Sequence, residues 1–406
     1  MDINISAETL ALQRKHFSHL SDEEFRFMLQ QVDGRQRTRE KLPTFATIND
    51  WWYPVRLSCE QCSSELTAKY KAQLIVNHQF DTLIDLTAGY GVDTFFMSQS
   101  TKQAHYIERN HDLCQIAEHN FTITNRNIQI HNTTAEEFMT DFQPTSINNI
   151  IYIDPARRNN NGNKVFLIED CEPNIISLLP ILVSKSKAVL IKLSPMLDIK
   201  ATLRALDIPF EVHIVAIENE VKEILLFVYQ FAHHIDTSNQ MNTPSRESVI
   251  PIHAVNLIRD TNLLGYQVQE LVFSMEEEKL AQCKIYSSNL THLTLEGAYI
   301  YEPNAAIIKS GAYKIVAQRL NLVKMAQHTH LYLSDKLIAD FPGRIWQIIT
   351  TSPKNFKEIR ANITTRNYPL SSEQLRKKYK IKDSNTHTII GARLADKPTL
   401  FLCKKI

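Results

Sequence analysis

Residues 81–110 of this 406-residue chain read DTLIDLTAGYGVDTFFMSQSTKQAHYIERN, and this stretch decides the fold. A short apolar run ends at Asp85, Gly89 and Gly91 follow, and an amphipathic segment comes next, which together predict a strand, a glycine turn and a helix. About twenty residues beyond the first acid, a second apolar run ends on Glu108. The spacing predicts a βαβ unit with a carboxylate at the end of each strand.

This unit has the features of a site for an adenosine-containing cofactor. Glycines let the backbone approach a ligand closely, and a carboxylate at the end of the second strand accepts hydrogen bonds from ribose hydroxyls. The dinucleotide pattern G-x-G-x-x-G is absent; Asp85-x-x-x-Gly89-x-Gly91 resembles motif I of class I S-adenosylmethionine (SAM) methyltransferases instead. The resemblance implies that the first acid faces the amino-acid end of SAM and that the chemistry is methyl transfer rather than hydride transfer.

Composition places the chain among globular proteins of two to four domains. It is 43% hydrophobic and 22% charged with a formal net charge of +1, so the whole chain offers no field for a polyanion. No apolar run reaches the length of a membrane span, and the charged N-terminus is unlike a secretory signal, so we expect a cytoplasmic protein without membrane contact. The pair Cys59-x-x-Cys62 lacks a second pair, and we expect no metal there or elsewhere in the protein.

Residues 1–74 form a predicted helical N-terminal region. Ser21 and the three acids after it are typical of a helix cap and first turn. The aromatic run 51–53 either stacks a base or packs against the next domain, and the burial tendency of large aromatic residues favours packing. In the helix before motif I, Gln61, Ser64 and Thr67 are candidate cofactor contacts or simply part of an N-capped surface helix.

Residues 75–232 form the predicted Rossmann-like domain, because the βαβα pattern continues and calls for a parallel sheet. After a third strand, Thr134 stands where related enzymes have an acid that reads the adenine amino group. A hydroxyl or a backbone amide can still meet that edge. A fourth strand ends in Asp154-Pro155-Ala156-Arg157-Arg158, at the place of motif IV, where ligands of open parallel sheets bind.

The motif IV segment departs from the Asp/Asn-Pro-Pro-aromatic pattern of amino-group methyltransferases. Two adjacent arginines suit a phosphate or a carboxylate, because a guanidinium binds such groups bidentately. The alternative is that Arg157 and Arg158 pair with Asp154 or Glu169 and only hold the loop. A fifth strand ends in a polar segment, from which Lys192 and Ser194 can face the same crevice.

The C-terminal part carries a strong local charge. We interpret residues 233–278 as a connecting segment, because 233–248 is polar and rich in turn formers. Residues 331–406 contain 15 Lys and Arg against 6 Asp and Glu, a surplus of nine, with a basic helix predicted at Ser372 to Tyr379. This basic module is the candidate handle for a polyanion.

Taken together, these segments resemble one bacterial family. The stretches EQCSSELTAKYKA, DLTAGYGVDTFF, YIERN, IDPARR, IYEPNAAIIKSGA, SDKLIADFPGR and RNYPLSSEQLRKKYKIKD are similar to those of class I SAM-dependent methyltransferases with a ferredoxin-like and a THUMP-like C-terminal domain. The resemblance covers nearly the whole chain and implies a ferredoxin-like domain at 279–330 and a THUMP-like domain at 331–406. THUMP domains are typical of RNA-modifying enzymes, so an RNA substrate is implied.

The leading hypothesis is therefore an RNA base methyltransferase with a Rossmann-like α/β domain, a helical N-terminal region and α+β C-terminal domains. A small-molecule or protein methyltransferase whose C-terminal domain serves assembly is the second hypothesis, and a SAM-binding protein without turnover is the third. The catalytic residues expected are Asp154, Arg157 and Arg158. The cofactor residues expected are Asp85, Thr87, Gly89, Gly91, Asp93, Glu108, Arg109, Thr134 and Ala135.

Overall fold

The computed structural model describes residues 5–157, 171–206, 210–229, 250–260, 265–287, 293–351, 356, 359–384 and 386–406. The chain forms two compact units. The first comprises Met1–Phe210 and Glu223–Asn239, and the second comprises Glu211–Lys222 and Gln240–Ile406. Among the described residues, none of the helices combines the length and the apolar character that crossing a bilayer requires.

The N-terminal region is helical, as the spacing of its apolar residues predicts. Its second helix begins with a complete capping box: the Ser21 hydroxyl accepts from the Glu24 amide, and the Glu24 carboxylate accepts from the Ser21 amide. The predicted cap is thus confirmed. The helices are α1 (Ala7–Leu12), α2 (Asp22–Thr38), α3 (Pro43–Thr47), α4 (Arg56–Gln61) and α5 (Glu65–His78).

A largely parallel sheet follows in the first unit, and its strands alternate with helices. In chain order, the strands from Thr82 to Tyr229 are β1 (Thr82–Asp85), β2 (Gln103–Ile107), β3 (Ile128–His131), β4 (Asn149–Ile153), β5 (Ala156–Arg157), β6 (Cys171–Glu172), β7 (Ala188–Leu193), β8 (Phe210–Ile217) and β9 (Glu220–Tyr229), of which β8 belongs almost entirely to the second unit. The helices between them are α6 (Val92–Met97), α7 (His111–Ile123), α8 (Ala135–Asp141), α9 (Ile175–Lys185) and α10 (Ile199–Ala205).

Strand order explains where a ligand can bind. Parallel pairing gives the order β3-β2-β1-β4-β7, and β9 adds to β7 in antiparallel orientation. The order reverses at β1, so the crevice outside the carboxyl ends of β1 and β4 is the topological switch point where open α/β sheets bind ligands. The predicted Rossmann-like sheet is confirmed.

The second unit is built mainly on antiparallel strands. Its further elements are β10 (Ile252–Arg259), β11 (Tyr266–Phe273), α11 (Met275–Leu280), β12 (Lys284–Ile285), β13 (Tyr299–Pro303), α12 (Ala305–Ser310), α13 (Lys314–Arg319), β14 (Val323–Ala326), β15 (Thr329–Ser334), β16 (Gly343–Thr350), β17 (Asn362–Arg366), α14 (Ser372–Tyr379), β18 (His387–Leu394) and β19 (Lys397–Lys405). Within this unit β10 pairs with β8 in parallel and with β11 antiparallel. An eight-stranded sheet has the order β12-β14-β15-β13-β16-β19-β18-β17.

The structure differs from the predicted segmentation in the C-terminal half. The segment 233–278 was expected to be a connecting segment, but its described part contains β10, β11 and the start of α11. The polar composition of 233–248 suggested a longer linker than the chain has, and 230–249 lies outside the described residues. The expected boundary at 330/331 falls inside β15, because a change in charge along the sequence does not mark the end of a strand.

Candidate functional site

The glycine turn connects β1 to α6 at the carboxyl edge of the sheet. Gly89 has a φ of 54° and Gly91 a φ of 82°, both in the left-handed region that favours glycine. The Gly91 amide donates to the Ala88 carbonyl at 2.8 Å, which closes the turn, and α6 begins at Val92. The sequence Gly-x-Gly therefore forms the tight strand-to-helix turn that it predicts.

The two glycines have different surroundings. A Cβ at Gly91 would lie 2.9 Å from Phe121 Cζ and 3.3 Å from Tyr106 Cε2, so the protein's own aromatic rings fill this space. A Cβ at Gly89 would have only the Thr87 carbonyl oxygen near it, at 4.0 Å. Gly91 thus serves packing, and Gly89 is the position where the backbone is open to an approaching ligand.

Glu108 lies directly beside this turn. Its Oε2 accepts from the Gly89 amide at 3.0 Å, and its Oε1 accepts from the Asn110 amide at 2.7 Å. The Tyr106 hydroxyl donates to the Gly89 carbonyl, so β2 holds the turn through two side chains. Each carboxylate oxygen has a further lone pair, which leaves Glu108 able to accept from hydroxyl groups of a ligand.

Asp85 is fully buried at the end of β1. Its Oδ2 accepts from the Thr94 hydroxyl at 2.6 Å, and its Oδ1 accepts from the Thr87 amide at 3.2 Å. Burial raises the pKa of Asp85 to about 8, against an ordinary value of 3.8. At neutral pH this carboxyl is mostly protonated, and its contacts hold the turn and α6 together.

A third connection joins the turn to the end of β4. The backbone amide of Asp154 donates to the Thr87 hydroxyl at 2.6 Å. The Asp154 carboxylate accepts through Oδ2 from the ammonium group of Lys192, which stands near the end of β7. The Asp154 side chain keeps 36% of its surface exposed, whereas that of Lys192 keeps only 15%. Asp154 is therefore the more accessible of the two charges at this edge.

Behind this edge lies a buried network of charges. Lys71 on α5 is fully buried, and its Nζ lies 2.9 and 3.0 Å from the two carboxylate oxygens of Glu223 on β9 and 3.1 Å from Asp93 Oδ1. Asp93 Oδ2 accepts from the Ser63 hydroxyl at 2.6 Å and from the Tyr152 hydroxyl at 2.8 Å. Asp93, one of the residues expected at the cofactor, connects the start of α6 to α5 and β4.

The network decides the charge states of its members. Burial alone would raise the pKa of Asp93, but the nearby Lys71 and Lys192 and its two hydroxyl donors outweigh burial and lower it. Burial raises the pKa of Glu223 despite the two lysines. Burial would lower the pKa of Lys192, but Asp154, Asp93 and Glu223 outweigh it and raise it. Lys192 therefore stays protonated, which excludes it as a general base.

The predicted adenine side of the site is formed by the loops after β2 and β3. The Thr134 hydroxyl accepts from the Glu137 amide at 3.2 Å and caps α8, while Ala135 is buried in the first turn. Asn132 Nδ2 donates to the Glu108 carbonyl at 3.0 Å, which joins the two loops. The Thr134 oxygen is thus engaged in a cap, and the loop remains beside Glu108.

The motif IV extension continues as a short ribbon of β5 and β6. Ala156 pairs with Glu172 and Arg157 with Cys171 along the backbone. Arg109 Nη1 lies 3.6 Å from Glu172 Oε1 in an exposed ion pair, which brings this ribbon beside the end of β2. Arg158 and Glu169 lie outside the described residues, so the predicted role of the two arginines remains a prediction.

The N-terminal region packs against the glycine turn. Trp51 is buried, stacks on Phe45 at 4.0 Å between ring centroids, and donates through Nε1 to the Tyr90 hydroxyl at 2.6 Å. Trp52 stacks on His119 at 3.9 Å. Packing, the favoured alternative for this aromatic run, is confirmed, and Trp51 contacts the turn through Tyr90.

Sequence reasoning passed over several members of this site. The helix before the turn contributes Ser63 and Lys71, whereas Ser64 caps α5 by accepting from the Thr67 amide. Lys71 and Glu223 carry no clear signal in the sequence, because each has another charged residue beside it, Lys69 and Lys222 respectively. Such charges are seldom buried without a partner, but the partner lies 152 positions away.

Comparisons with known proteins agree with this architecture. A crystal structure described as a "putative methyltransferase" from Porphyromonas gingivalis W83 superimposes with a TM-score of 0.80 at 31% identity, covering 100% of this chain and 95% of that chain. A sequence family described as a ferredoxin-like domain matches residues 299–342, and one described as a THUMP domain-like family matches residues 343–405. No curated protein matches the chain.

Two other solved structures cover only part of the chain. The Thermus thermophilus 16S rRNA N2 G1207 methyltransferase in complex with AdoMet and guanosine is 12% identical with a TM-score of 0.31, over 41% of this chain and 42% of that one. The Streptococcus mutans protein SMU.1697c in complex with SAH is 14% identical with a TM-score of 0.29, over 41% of this chain and 96% of that one. The family assignment rests on the P. gingivalis relative.

The sheet order and the glycine turn define a class I, Rossmann-like methyltransferase fold. The chain belongs to the bacterial family of class I methyltransferases that carry a ferredoxin-like and a THUMP-like C-terminal domain.

Proposed function

We propose that this protein is a SAM-dependent methyltransferase that modifies a base of RNA. The observation that carries the proposal is the arrangement at the switch point: an open glycine turn, the Glu108 carboxylate on the Gly89 amide at 3.0 Å, and Asp154 tied to the same turn through Thr87. This arrangement supports a site for a nucleoside beside an accessible acid at the carboxyl edge of one sheet.

The residues present fit the cofactor. Glu108 has lone pairs for ribose hydroxyls, Gly89 admits close approach, and the loop of Thr134 and Ala135 lies next to Glu108 for the adenine edge. When bound, SAM supplies a methyl group activated by a sulfonium. The protein then needs mainly to position the acceptor in line with that methyl group.

Asp154 is the group we assign to the acceptor. Lys192 holds one of its oxygens, which fixes the direction of the carboxylate while 36% of the side chain stays accessible. A fixed carboxylate can accept a hydrogen bond from an exocyclic or ring N–H of a flipped-out base and take its proton as the new bond to the methyl carbon forms. Arg157 and Arg158 are proposed to hold a phosphate next to that base.

The RNA part of the proposal depends on the second unit. The THUMP-like match at 343–405 lies within the segment that carries the surplus of nine positive charges, and Lys377, Lys378 and Lys380 at the end of α14 are exposed. Phosphate contacts by exposed cations give binding that is independent of sequence and sensitive to salt. A small-molecule or protein substrate would leave this concentration of charge without a role in binding.

The test is methyl incorporation from labelled SAM into total RNA of a strain that lacks the protein, with the Asp154→Ala variant as the matched control. We expect label in RNA with the parent and none with the variant, and mapping the labelled nucleotide then names the base. Incorporation into protein or small molecules, but not into RNA, would replace the RNA substrate with the second hypothesis. No incorporation despite SAM binding would support a binding protein without turnover.

A further inference from the structure

Four polar side chains meet on one face of three neighbouring strands in the second unit. Glu211 and His213 stand on β8, His253 on β10 and Glu270 on β11. His213 lies directly opposite His253 in the parallel pair, and Glu270 lies opposite the residue two positions after His253. Because side chains alternate between the faces of a sheet, all four project from the same face.

Three of these side chains direct ligand atoms at one point. Glu211 Oε2 lies 3.8 Å from His213 Nε2 and 3.7 Å from His253 Nε2, and one ligand atom from each residue falls within 4.8 Å of the other two. Bonds of about 2.0–2.1 Å in a tetrahedral zinc site imply ligand atoms roughly 3.3 Å apart. The three atoms would therefore close around an ion with shifts of roughly an ångström or less.

The fourth side chain holds one of the ligands in place. His253 Nδ1 lies 2.7 Å from Glu270 Oε1, while its Nε2 faces Glu211. A hydrogen bond from Nδ1–H to a carboxylate fixes the imidazole tautomer and leaves the Nε2 lone pair for a metal, which is the arrangement around most metal-ligating histidines. The two imidazole rings stack at 4.3 Å between centroids, which fixes their relative orientation.

The environment suits a cation. The His213 side chain is 4% exposed, and those of His253 and Glu211 are 20% and 31% exposed, so the cluster has a closed inner side and an outer side open to solvent. The carboxylates of Glu211 and Glu270 flank the imidazoles and supply negative charge. Two imidazoles and one carboxylate favour zinc and similar divalent transition metals over magnesium or calcium, which prefer oxygen ligands.

We propose that Glu211, His213 and His253 form a binding site for Zn²⁺ or a similar divalent transition-metal ion, with Glu270 as the residue that orients His253. Three protein ligands leave a fourth position for water or another group. The ion would connect β8 to β10 within the second unit. The site is separate in the chain from the glycine turn, Glu108 and Asp154, and it does not depend on the proposed function.

The experiment titrates full-length protein, freed of metal by a chelator, with Zn²⁺ by calorimetry and with Co²⁺ by visible absorption, which reports tetrahedral coordination. We expect one ion per chain and loss of the signal in Glu211→Gln and His253→Gln. Glu270→Gln should weaken affinity by about 10–100-fold while keeping the cobalt spectrum, since it removes an orienting partner and no ligand.

The chain provides a matched control in its first unit. His105 Nδ1 lies 3.1 Å from His131 Nε2, and their rings stack at 5.3 Å, but no carboxylate completes a metal cluster there among the described residues. His131→Gln should therefore leave Zn²⁺ affinity unchanged. Circular dichroism without metal verifies that each variant folds. If the ligand variants do not fold, Glu270→Gln still tests the proposal, because Glu270 lies at an outer position with 39% of its side chain exposed. Absence of binding by the parent, or equal affinity in Glu270→Gln, overturns the proposal.

Discussion

At the scale of single residues, the two glycines of the turn have different structural roles. Gly91 is surrounded by Phe121 and Tyr106, so its lack of a side chain is required by packing, whereas Gly89 faces open space. We therefore expect the ligand to approach the backbone at Gly89 rather than at Gly91. A single residue type thus serves stability at one position and access at the other.

The first prediction separates these two roles. Gly89→Ala adds a methyl group at an open position with a φ of 54°, so it should cost about 1 kcal/mol of stability yet weaken SAM binding markedly. Gly91→Ala should destabilise the fold more, because its Cβ would lie 2.9 Å from Phe121. Calorimetry with SAM and urea unfolding measure the two effects. Undiminished SAM affinity in Gly89→Ala would contradict the position of the site.

The second prediction concerns Asp85 and pH. Its pKa is raised from 3.8 to about 8 by burial, so between about pH 4 and pH 8 the folded chain holds a proton that the unfolded chain has released. The contribution of this group to stability is therefore full at low pH, falls as pH rises through that window, and levels off above pH 8. The asparagine side chain in the Asp85→Asn variant cannot ionise, so the variant does not lose stability through this titration. Relative to the parent, its free energy of unfolding should rise by about 1 kcal/mol or more between pH 5 and pH 8.

Urea unfolding at several pH values measures this difference. The quantity compared is the change in the free energy of unfolding with pH, not its absolute value. The side-chain amide of Asp85→Asn also changes the hydrogen bond with Thr94, and this effect does not depend on pH. Parallel stability curves for Asp85→Asn and the parent would mean that Asp85 is ionised in the folded protein.

The third prediction tests Asp154. Asp154→Ala should reduce methyl transfer by about 10²–10⁴-fold, the usual contribution of a general base, while SAM affinity stays within a few fold. Lys192→Met should also lower transfer, since it releases the carboxylate from a fixed direction. A comparable loss of SAM affinity in Asp154→Ala would make Asp154 a cofactor residue instead.

At the scale of elements, a buried ion pair fixes α5 against β9. Lys71 is fully buried and Glu223 nearly so, and Asp93 at the start of α6 is the third charged member of the group. A charge in such a place is stable only with its partners, because the loss of solvation is large. The helix before the turn, the turn's own helix and the last strand of the unit are therefore positioned together.

The fourth prediction removes that lysine. Lys71→Met leaves two buried carboxylates without their cation and should cost about 3–5 kcal/mol, and Lys71→Met with Glu223→Leu should recover part of the loss. The matched control is the exposed pair of Arg56 and Glu60, one turn apart on α4, where Arg56→Ala should cost about 0.5 kcal/mol or less. Chemical denaturation gives both values. Equal costs in the two variants would show that the Lys71 network contributes little.

At the scale of the whole molecule, charge is distributed unevenly along a nearly neutral chain. The surplus of nine in 331–406 is concentrated at the end of α14, whose apolar side packs through the buried Leu375 on a core with Ile381 and Ile389. Arg376 is paired with Asp383, so this arginine belongs to the fold of the helix end. The lysines around it are the cations available for a polyanion.

The fifth prediction tests those lysines. Changing Lys377, Lys380 and Lys382 to Ala should weaken RNA binding for all sequences and flatten its dependence on salt by about one unit of slope per lost phosphate contact. SAM affinity should not change. Replacing the exposed Lys15, Arg39 and Lys200 of the first unit removes the same charge and is the control. An unchanged salt slope in filter binding would favour a role in assembly.

Local sequence by itself determined the parts of this protein that depend on nearby residues. The glycine turn follows from Gly89 and Gly91, the helix starts from Ser21 and Thr134, and the parallel strands from their apolar runs, since backbone sterics and capping act over a few positions. These local rules were enough to predict a nucleoside-type site at the end of β1.

Only the tertiary structure decided which side chains meet. Lys192 binds Asp154 across 38 positions and Lys71 binds Glu223 across 152, and the His213 and His253 rings stack although they lie on different strands. The boundaries of the C-terminal sheet were likewise set by pairing between distant strands, which composition does not record. Contacts of this kind depend on register and burial, and a buried charge acquires its partner only when the strands and helices that carry both groups have packed.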